Sequence, residues 1–438
     1  MTDAPADGEG TPRAASLGRW RTFAALQDRS FRWLLIGLIC SFLSLAMQNL
    51  TRGYLAYQLT GSSASIGLVL VAWGIPMLGL GLVAGVVADR VPKRNVLFAT
   101  QSTLGLSALA TAVLVQTGVI EIWHLIVIGF VQGVAFGFNV PTRQAIVPEV
   151  VPQERLANAV ALVNAGSSVA NIAGAPLAGV IIALPVLGIA GSLYLSAALY
   201  LMVLLMYSHI PASRPGRERR SSFFADFASG FRYVAASKMI PILLAMGYVP
   251  WVIAQPYQQL LPAFAAGALE VGAEGLGLLM GATGVGALAG SLIVATVATS
   301  ANKSRIQLVA GIVFASALVL FGLSPWFWVS VVLLFVTGGA ANAYMVLNQT
   351  LIAQHTAPGY FGRVLSVSSL FSAVGPMAVL PYGWFMDTVG MRQTVAGSGA
   401  LVLLFLVVAT FLRPDLRRKD DITLSSTESV PRPAEARR

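Results

Sequence analysis

The sequence predicts an all-α polytopic membrane protein, with twelve transmembrane helices in two six-helix pseudo-repeats. Of its 438 residues, 56% are hydrophobic and 11% are charged, whereas soluble domains carry about 25% charged residues. Twelve helices of about 20 residues each would occupy roughly half of such a chain, in agreement with the apolar fraction. The composition excludes an ordinary soluble protein, and the single Cys40 excludes a disulfide framework or a cysteine metal cluster.

Twelve apolar runs support this count and fall into two groups of six. The first six predicted spans are residues 33–57, 66–88, 96–117, 120–140, 157–183 and 189–210. The last six are residues 240–265, 275–298, 306–323, 326–347, 364–386 and 394–412. The predicted domains are an N-terminal segment 1–32, a bundle 33–210, a loop 211–238, a bundle 239–412 and a disordered tail 413–438.

The basic residues set the predicted orientation. If the N-terminus lies in the cytoplasm, all of the 28 Lys and Arg residues except Arg52 and Arg392 fall on the cytoplasmic side. The positive-inside rule describes this bias. We therefore expect both termini to be cytoplasmic, and we interpret the net charge of +10 as membrane topology, with no nucleic-acid partner.

The two groups of spans are similar to each other in sequence. Residues 65–85 resemble residues 275–295, with Gly67 facing Gly277, and Gln144 faces Gln349 in the loops after spans 4 and 10. An internal parallel repeat of this kind is what a two-lobed carrier requires, because alternating access rocks one half against the other.

The central loop carries an apolar stripe that predicts an amphipathic helix on the cytoplasmic membrane surface. Its members are Phe223, Phe224, Phe227, Phe231 and Val234. We expect this helix to link the two halves.

The sharpest local motif lies between spans 2 and 3. Its key residues are Gly85, Asp89, Arg90, Pro92, Lys93 and Arg94. They resemble the signature loop of the major facilitator superfamily, and the resemblance implies that Asp89 steadies a closure between the halves on the cytoplasmic side. A carboxylate there can cap the positive N-terminus of span 11, which starts near Arg363. The alternative is a short basic loop that only obeys the orientation rule.

Span 5 carries Gly174, Pro176 and Gly179. They partly resemble the helix-5 motif of exporters in the same superfamily, although the arginine that precedes Gln-Gly in the exporters' helix-4 motif is absent from residues 129–133. The alternative is a packing surface, because small residues let membrane helices approach closely.

Three further segments, residues 47–63, 141–162 and 361–371, look like the transmembrane secretion effector branch of the superfamily. That resemblance runs from about span 1 to span 12. It implies a multi-pass carrier of the bacterial inner membrane, often an exporter of siderophores, drugs or other metabolites.

Polar residues within the spans are the candidates for a substrate cavity. Gln48, Asn49 and Arg52 form a polar stripe on span 1, and a buried charge is a functional hypothesis because lipid exposure is costly. If span 1 ends early, however, Arg52 reaches the outer headgroups instead. The other candidates are Gln132, Gln255, Tyr257, Gln258 and Asn342. The alternative for Gln132 and Asn342 is that they form interhelical hydrogen bonds. The alternative for Gln255, Tyr257 and Gln258 is that they mark the outer end of span 7.

The leading functional hypothesis is a secondary active exporter of small molecules that works by alternating access and is coupled to protons. The alternative is an uncoupled facilitator or importer of a small polar or anionic solute, because no Asp or Glu falls clearly within a span and proton antiporters rely on a buried carboxylate or histidine. Asp387 and Glu270 are the remaining candidates for a proton carrier.

A third hypothesis, a polytopic membrane enzyme or receptor, has no catalytic motif in its favour, and ATP-driven transport lacks a Walker loop. We expect no cofactor and no metal. The expected partners are a small-molecule substrate, the lipid bilayer and protons, and the expected state is a monomer.

Overall fold

A computed structural model of the chain describes residues 21–211, 231–237, 239–297, 302–356 and 360–412. Within these ranges, side chains are not described for residues 21–23 and 81–90, nor for most of residues 361–374. All regular elements of the described part are helices, and the predicted all-α fold class is confirmed.

The first half consists of six long helices. They are α1 (Arg29–Thr60), α2 (Ser63–Arg90), α3 (Lys93–Gln116), α4 (Ile122–Val150), α5 (Leu156–Ala183) and α6 (Gly188–Ser208). Short 3₁₀ turns precede α1 (Arg21–Gln27) and α5 (Gln153–Arg155).

The second half repeats this layout with one broken helix. Helix α7 has three parts: α7a (Ile240–Ala254), α7b (Pro256–Gln259) and α7c (Leu261–Gly267). It is followed by α8 (Ala273–Val297), α9 (Lys303–Leu323), α10 (Phe327–His355), α11 (Phe361–Thr388) and α12 (Met391–Leu412). Among the described residues, eleven helices are both long and apolar enough to cross a membrane. Helix α11 is not one of these eleven, but its 28 residues are long enough to span the hydrocarbon core.

Several helices extend further than the apolar runs predict. Helix α4 continues to Val150, beyond the predicted end at 140, and α10 continues to His355, beyond 347. Helix α2 reaches Arg90, so residues 85–90 of the signature motif are helical and only Val91 and Pro92 separate α2 from α3. The reason is that a helix continues as long as its backbone hydrogen bonds do, whereas hydropathy reports only the part within the hydrocarbon core.

The two halves pack by equivalent pairs of helices. In the first half α2 packs on α4 and α3 on α6, and in the second half α8 packs on α10 and α9 on α12. Between the halves, α2 lies against α11 and α5 lies against α8. These two contacts are equivalent under the six-helix repeat, so the repeat predicted from Gly67 and Gly277 is present in the packing.

We call the end of the bundle where α1 ends and α2 begins the outer end, after the predicted orientation, and the opposite end the inner end. At the outer end, one apolar core joins the two halves and includes Met47, Ala175, Leu276, Phe321 and Val379. Towards the inner end each half has a separate core, built around α1, α3, α4 and α6 in one and around α7a, α10 and α11 in the other.

Large apolar side chains also cover much of the outside of the bundle. Val186 is 94% exposed, Phe411 72% and Leu292 69%. A soluble protein does not expose so continuous an apolar surface, and lipid solvates it without cost.

Candidate functional site

A cavity of about 490 Å³ lies between the halves, below the shared outer core. Its wall is formed by α5 of the first half and by α7, α8, α9 and α10 of the second. On α5 the lining residues run from Ser168 to Ala175, and on α8 from Met280 to Ser291. The volume suits a drug-sized molecule, because such ligand pockets measure about 300–1,000 Å³.

The described wall of this cavity combines aromatic rings with neutral polar groups. The rings belong to Trp251, Tyr257, Phe314 and Tyr344. The polar members are Ser168, Asn171, Gln255, Gln258, Thr283, Ser291 and Asn342. Of the residues expected in a substrate cavity, Gln255, Tyr257, Gln258 and Asn342 lie in this wall.

Three of these residues lie in the interrupted part of α7. Pro256 has no backbone N–H, so the helix is interrupted after Ala254, and a second interruption follows at Leu260, just before Pro262. The chain then continues as α7c to Gly267. Gln255 therefore lies at the first break, and Tyr257 and Gln258 lie in the short α7b, between α7a and α7c.

At the outer end, the two halves meet through backbone contacts between α2 and α11. A β-carbon at Gly67 would stand 2.5 Å from the Leu380 Cα, and one at Gly383 would stand 2.7 Å from the Ser63 carbonyl oxygen. Only glycine permits this approach, because any side chain would push the two halves apart.

Helices α5 and α8 make the equivalent contact on the other side of the bundle. A β-carbon at Gly179 would stand 2.5 Å from the Ala273 carbonyl oxygen, and Gly277 and Gly281 pack against Pro176. Of the predicted helix-5 motif, Pro176 and Gly179 thus contact the other half. Gly174 contacts α1 within its own half, where a β-carbon would stand 2.5 Å from the Ala46 Cβ.

Asp387, in the last turn of α11, joins the halves at the outer end. Its carboxylate accepts hydrogen bonds from the Ser62 hydroxyl (2.6 Å) and from the backbone N–H groups of Ser63 (2.8 Å) and Ala64 (3.0 Å). These groups form the N-terminus of α2, where N–H groups lack helical partners and the helix dipole favours a negative charge.

Asp387 lies one residue past the apolar run 364–386. Burial raises the pKa of this carboxyl, but the hydrogen bonds from Ser62, Ser63 and Ala64 outweigh burial and hold the pKa below its usual range. Asp387 therefore stays ionised at neutral pH while the outer end is closed.

Arg52 lies in a separate network within the first half, whose members are buried except for Asn49. Its guanidinium donates to the Gln132 Oε1 (2.7 Å) and to the Asn49 Oδ1 (2.8 Å), and Gln132 donates to the Gln48 Oε1 (3.0 Å). Asn49 and Arg52 line a small pocket of about 10 Å³ that also includes Gln259 of the second half. The structure thus brings Gln48, Asn49, Arg52 and Gln132 together, but it places them outside the wall of the 490 Å³ cavity.

The signature residues occupy the inner ends of α2 and α3. Gly85, Asp89 and Arg90 belong to the last turns of α2, and Arg363 belongs to the first turn of α11; their side chains lie outside the description. Pro92 precedes the first residue of α3, Lys93 pairs with Glu149, and Arg94 donates to the Ser208 carbonyl (2.8 Å).

The predicted surface helix of the central loop falls mostly outside the described residues, which resume at Phe231. Residues 231–236 are helical, with Phe231 59% exposed and Val234 buried against α7a. The segments 1–20 and 413–438 also lie outside the description.

Sequence reasoning missed Ser168, Thr283, Ser291 and Phe314 in the cavity wall. One signal was available for two of them: Thr283 and Ser291 are eight residues apart on α8, with Ala287 midway, so they share one helix face. The cap between Asp387 and α2 could not be found in this way, because its partners are separated by more than 320 residues.

Comparison with known proteins agrees with this architecture. A family model described as transmembrane secretion effector matches residues 20–437. The chain is 25% identical over 408 residues to an enterobactin exporter of Shigella boydii serotype 18, covering 91% of this chain and 96% of the relative. An enterobactin exporter of Escherichia coli O139:H28 matches with the same identity and coverage.

Two solved structures share the fold. A crystal structure of a mutant of the nucleoside transporter NupG matches with a TM-score of 0.67 and 15% identity, covering 87% of this chain and 99% of the other. An inward-facing, unoccupied bacterial homolog of the human lysosomal transporter Spinster matches with a TM-score of 0.68 and 13% identity, covering 92% of this chain and 98% of the other.

Proposed function

Because the chain belongs to the transmembrane secretion effector family and is a multi-pass membrane transporter of the major facilitator type, we propose that it exports small molecules across the bacterial inner membrane by proton-coupled alternating access. The observation that carries this proposal is a cavity between two halves whose described residues share a core at the outer end. Such a cavity loads cargo from the inner side, which the predicted orientation makes the cytoplasm.

In this proposal the contacts at the outer end open while the inner ends close. The α2–α11 and α5–α8 pairs are antiparallel and equivalent, so rocking one half about their midpoints separates the outer ends and brings the inner ends together. The glycine contacts make the outer closure tight, and they involve backbone of both halves.

Two carboxylates, one at each end of the bundle, can each cap the N-terminus of a helix in the other half. Asp387 ends α11 and caps α2 at the outer end. Asp89 ends α2, and in our proposal it caps the N-terminus of α11, near Arg363, when the inner ends meet. Each state is then stabilised by one capped helix N-terminus. The cap at one end forms only when that end is closed and the opposite end is open.

Proton coupling is supported by the need for an energy source, because the sequence holds no Walker loop and uphill export requires an ion gradient. Asp387 serves as a gate in this account rather than as the proton carrier. Its pKa is held below the usual range in the closed state, which opposes uptake of a proton at neutral pH.

The test is transport into everted membrane vesicles with an imposed pH gradient, using a panel of fluorescent drugs and catecholate siderophores. Vesicles without the protein are the control. We expect accumulation that collapses when a protonophore is added. If no compound of the panel moves faster than in the control vesicles, the proposed export is refuted.

The uncoupled facilitator is a second candidate, favoured by one observation: the described wall of the cavity consists of neutral residues. A facilitator needs no titratable group near its cargo. In the same vesicles it would equilibrate cargo at a rate that ignores both the pH gradient and the protonophore.

A further inference from the structure

We propose that the cargo is an uncharged, ring-bearing molecule of drug size that donates hydrogen bonds, such as a phenol, an alcohol or an amide. This inference rests on the proposed transport function, since it names the cargo of the same cavity. It is carried by three properties of the wall: charge, hydrogen-bond polarity and aromatic content.

The first property is charge. Every described residue that lines the 490 Å³ cavity is neutral. The buried guanidinium of Arg52 belongs to the other pocket and already donates to Gln132 and Asn49. An anionic cargo in the cavity would lose hydration without gaining an opposite charge from the described wall, which is costly in a weakly polar site.

The second property is hydrogen-bond polarity. The amide nitrogen of Asn342 donates to the Ala287 carbonyl (2.8 Å) and to the Ser291 hydroxyl (2.6 Å), and that of Asn171 donates to the Ser167 carbonyl (2.8 Å). The carbonyl oxygens of these two amides can still accept.

Four hydroxyl groups of the wall likewise use their hydrogen atoms within the protein. Those of Ser168, Thr283 and Ser291 donate to backbone carbonyls of their own helices, and Tyr344 donates to the Met246 carbonyl. Each of these oxygens keeps lone pairs, so the wall on α5, α8 and α10 presents mainly acceptors, whereas Trp251, Gln255, Tyr257 and Gln258 on α7 carry donor groups. Carboxylates and phosphates are acceptors only and leave the acceptors of α5, α8 and α10 unmatched, whereas a molecule that carries O–H and N–H groups beside its accepting oxygens matches both parts of the wall.

The third property is aromatic content. Trp251, Tyr257, Phe314 and Tyr344 all contribute to the wall. Phe314 and Tyr344 are buried, and Trp251 is half-buried at the end of α7a. Aromatic rings prefer offset or edge-to-face contact with another ring, so a cargo that carries a ring gains contacts that an aliphatic cargo lacks.

The test is equilibrium dialysis of the purified full-length protein with matched compounds. Chloramphenicol is neutral and carries a ring, two hydroxyls and an amide N–H. Its 3-acetyl ester is neutral and lacks one hydroxyl, and its 3-hemisuccinate lacks the same hydroxyl but adds a carboxylate. N-benzoyltyrosinamide and N-benzoyltyrosine form a second pair, in which a neutral amide is replaced by a carboxylate.

We expect each neutral compound to bind at least about tenfold more tightly than its anionic partner, a difference of about 1.4 kcal/mol. Equal binding of the anionic members overturns the proposal. So does failure of every neutral member to bind at up to about 1 mM, which corresponds to about −4.1 kcal/mol.

A charge placed in the wall gives a second, independent readout. Asn171→Asp keeps the size and the accepting oxygen but adds a carboxylate, so it should create affinity for the cationic aminodiol from which chloramphenicol is made. Asn164→Asp, two turns earlier on α5 and outside the wall, is the matched control. No gain in Asn171→Asp, or an equal gain in the control, contradicts the proposal.

Binding is measured without transport, so the two proposals can fail separately. Selective binding of neutral compounds without export in vesicles would refute the proposed function alone. Export of anionic members with no preference for neutral ones would refute the proposed cargo alone.

Discussion

At the scale of single residues, Arg52 shows what a sequence can and cannot reveal. A charge within an apolar run predicts either a buried, partnered side chain or one that reaches the outer headgroups, and Arg52 is 8% exposed. Its partner Gln132 lies 80 residues away on α4, so only the packing of α1 on α4 could identify it. The network of Arg52, Asn49, Gln132 and Gln48 ties these two helices together.

We predict that Arg52→Ala lowers the thermal stability of the purified protein. Removing the guanidinium leaves the buried Gln132 Oε1 without its donor, at about 1–3 kcal/mol, whereas the exposed Asn49 regains water. The midpoint of thermal unfolding in detergent should fall, whereas Arg305→Ala, which removes an exposed charge on α9, should leave it unchanged. An unchanged midpoint with weakened cargo binding would instead place Arg52 at the cargo.

At the scale of helices, number and order were predictable, because apolar runs and loop charges report which segments enter the membrane. Pro256 and Pro262 accompany the breaks in α7, whereas Pro250 lies inside α7a without breaking it. Helix ends were predicted less well, since α4 and α10 continue past their apolar runs. Which glycines contact the other half could not be predicted, because small residues serve contacts within a half and between halves alike, as Gly174 and Gly179 show.

We predict that Gly179→Ala shifts the protein towards a state that is open at the outer end. The new methyl group meets the Ala273 carbonyl of the other half, and separating the halves relieves the clash. Overpacking of this kind costs about 1–3 kcal/mol, enough for at least about a fivefold change in an equilibrium.

The measurement is labelling of Ser63→Cys by a membrane-impermeant maleimide in a Cys40→Ser background, because Ser63 is fully buried at the outer closure. Labelling should be at least about fivefold faster with Gly179→Ala. Gly79→Ala is the matched control, since a β-carbon at Gly79 meets nothing within 4 Å. Equal rates in all three proteins would show that the α5–α8 contact does not hold the outer end closed.

At the scale of the whole molecule, the sequence predicted two equivalent halves from a weak repeat, and the packing confirms them. It could not predict which end is closed, because both end states share one set of helices and one set of loop charges. In the described part of the chain, the two halves are joined at the outer end, through the shared core and the Asp387 cap.

The most direct test of the central claim, that the outer closure must open for transport, is to fix it covalently. Ser62 and Asp387 touch across the halves; Ser62 is half-buried and Asp387 is exposed, so a reagent can reach the pair from outside. With cysteines at both positions in a Cys40→Ser background, a short, reducible bifunctional thiosulfonate should stop export into everted vesicles, and reduction should restore it. Proteins with only one of the two cysteines should transport at the same rate before and after this treatment. Export at an undiminished rate by the cross-linked protein would contradict alternating access through this closure.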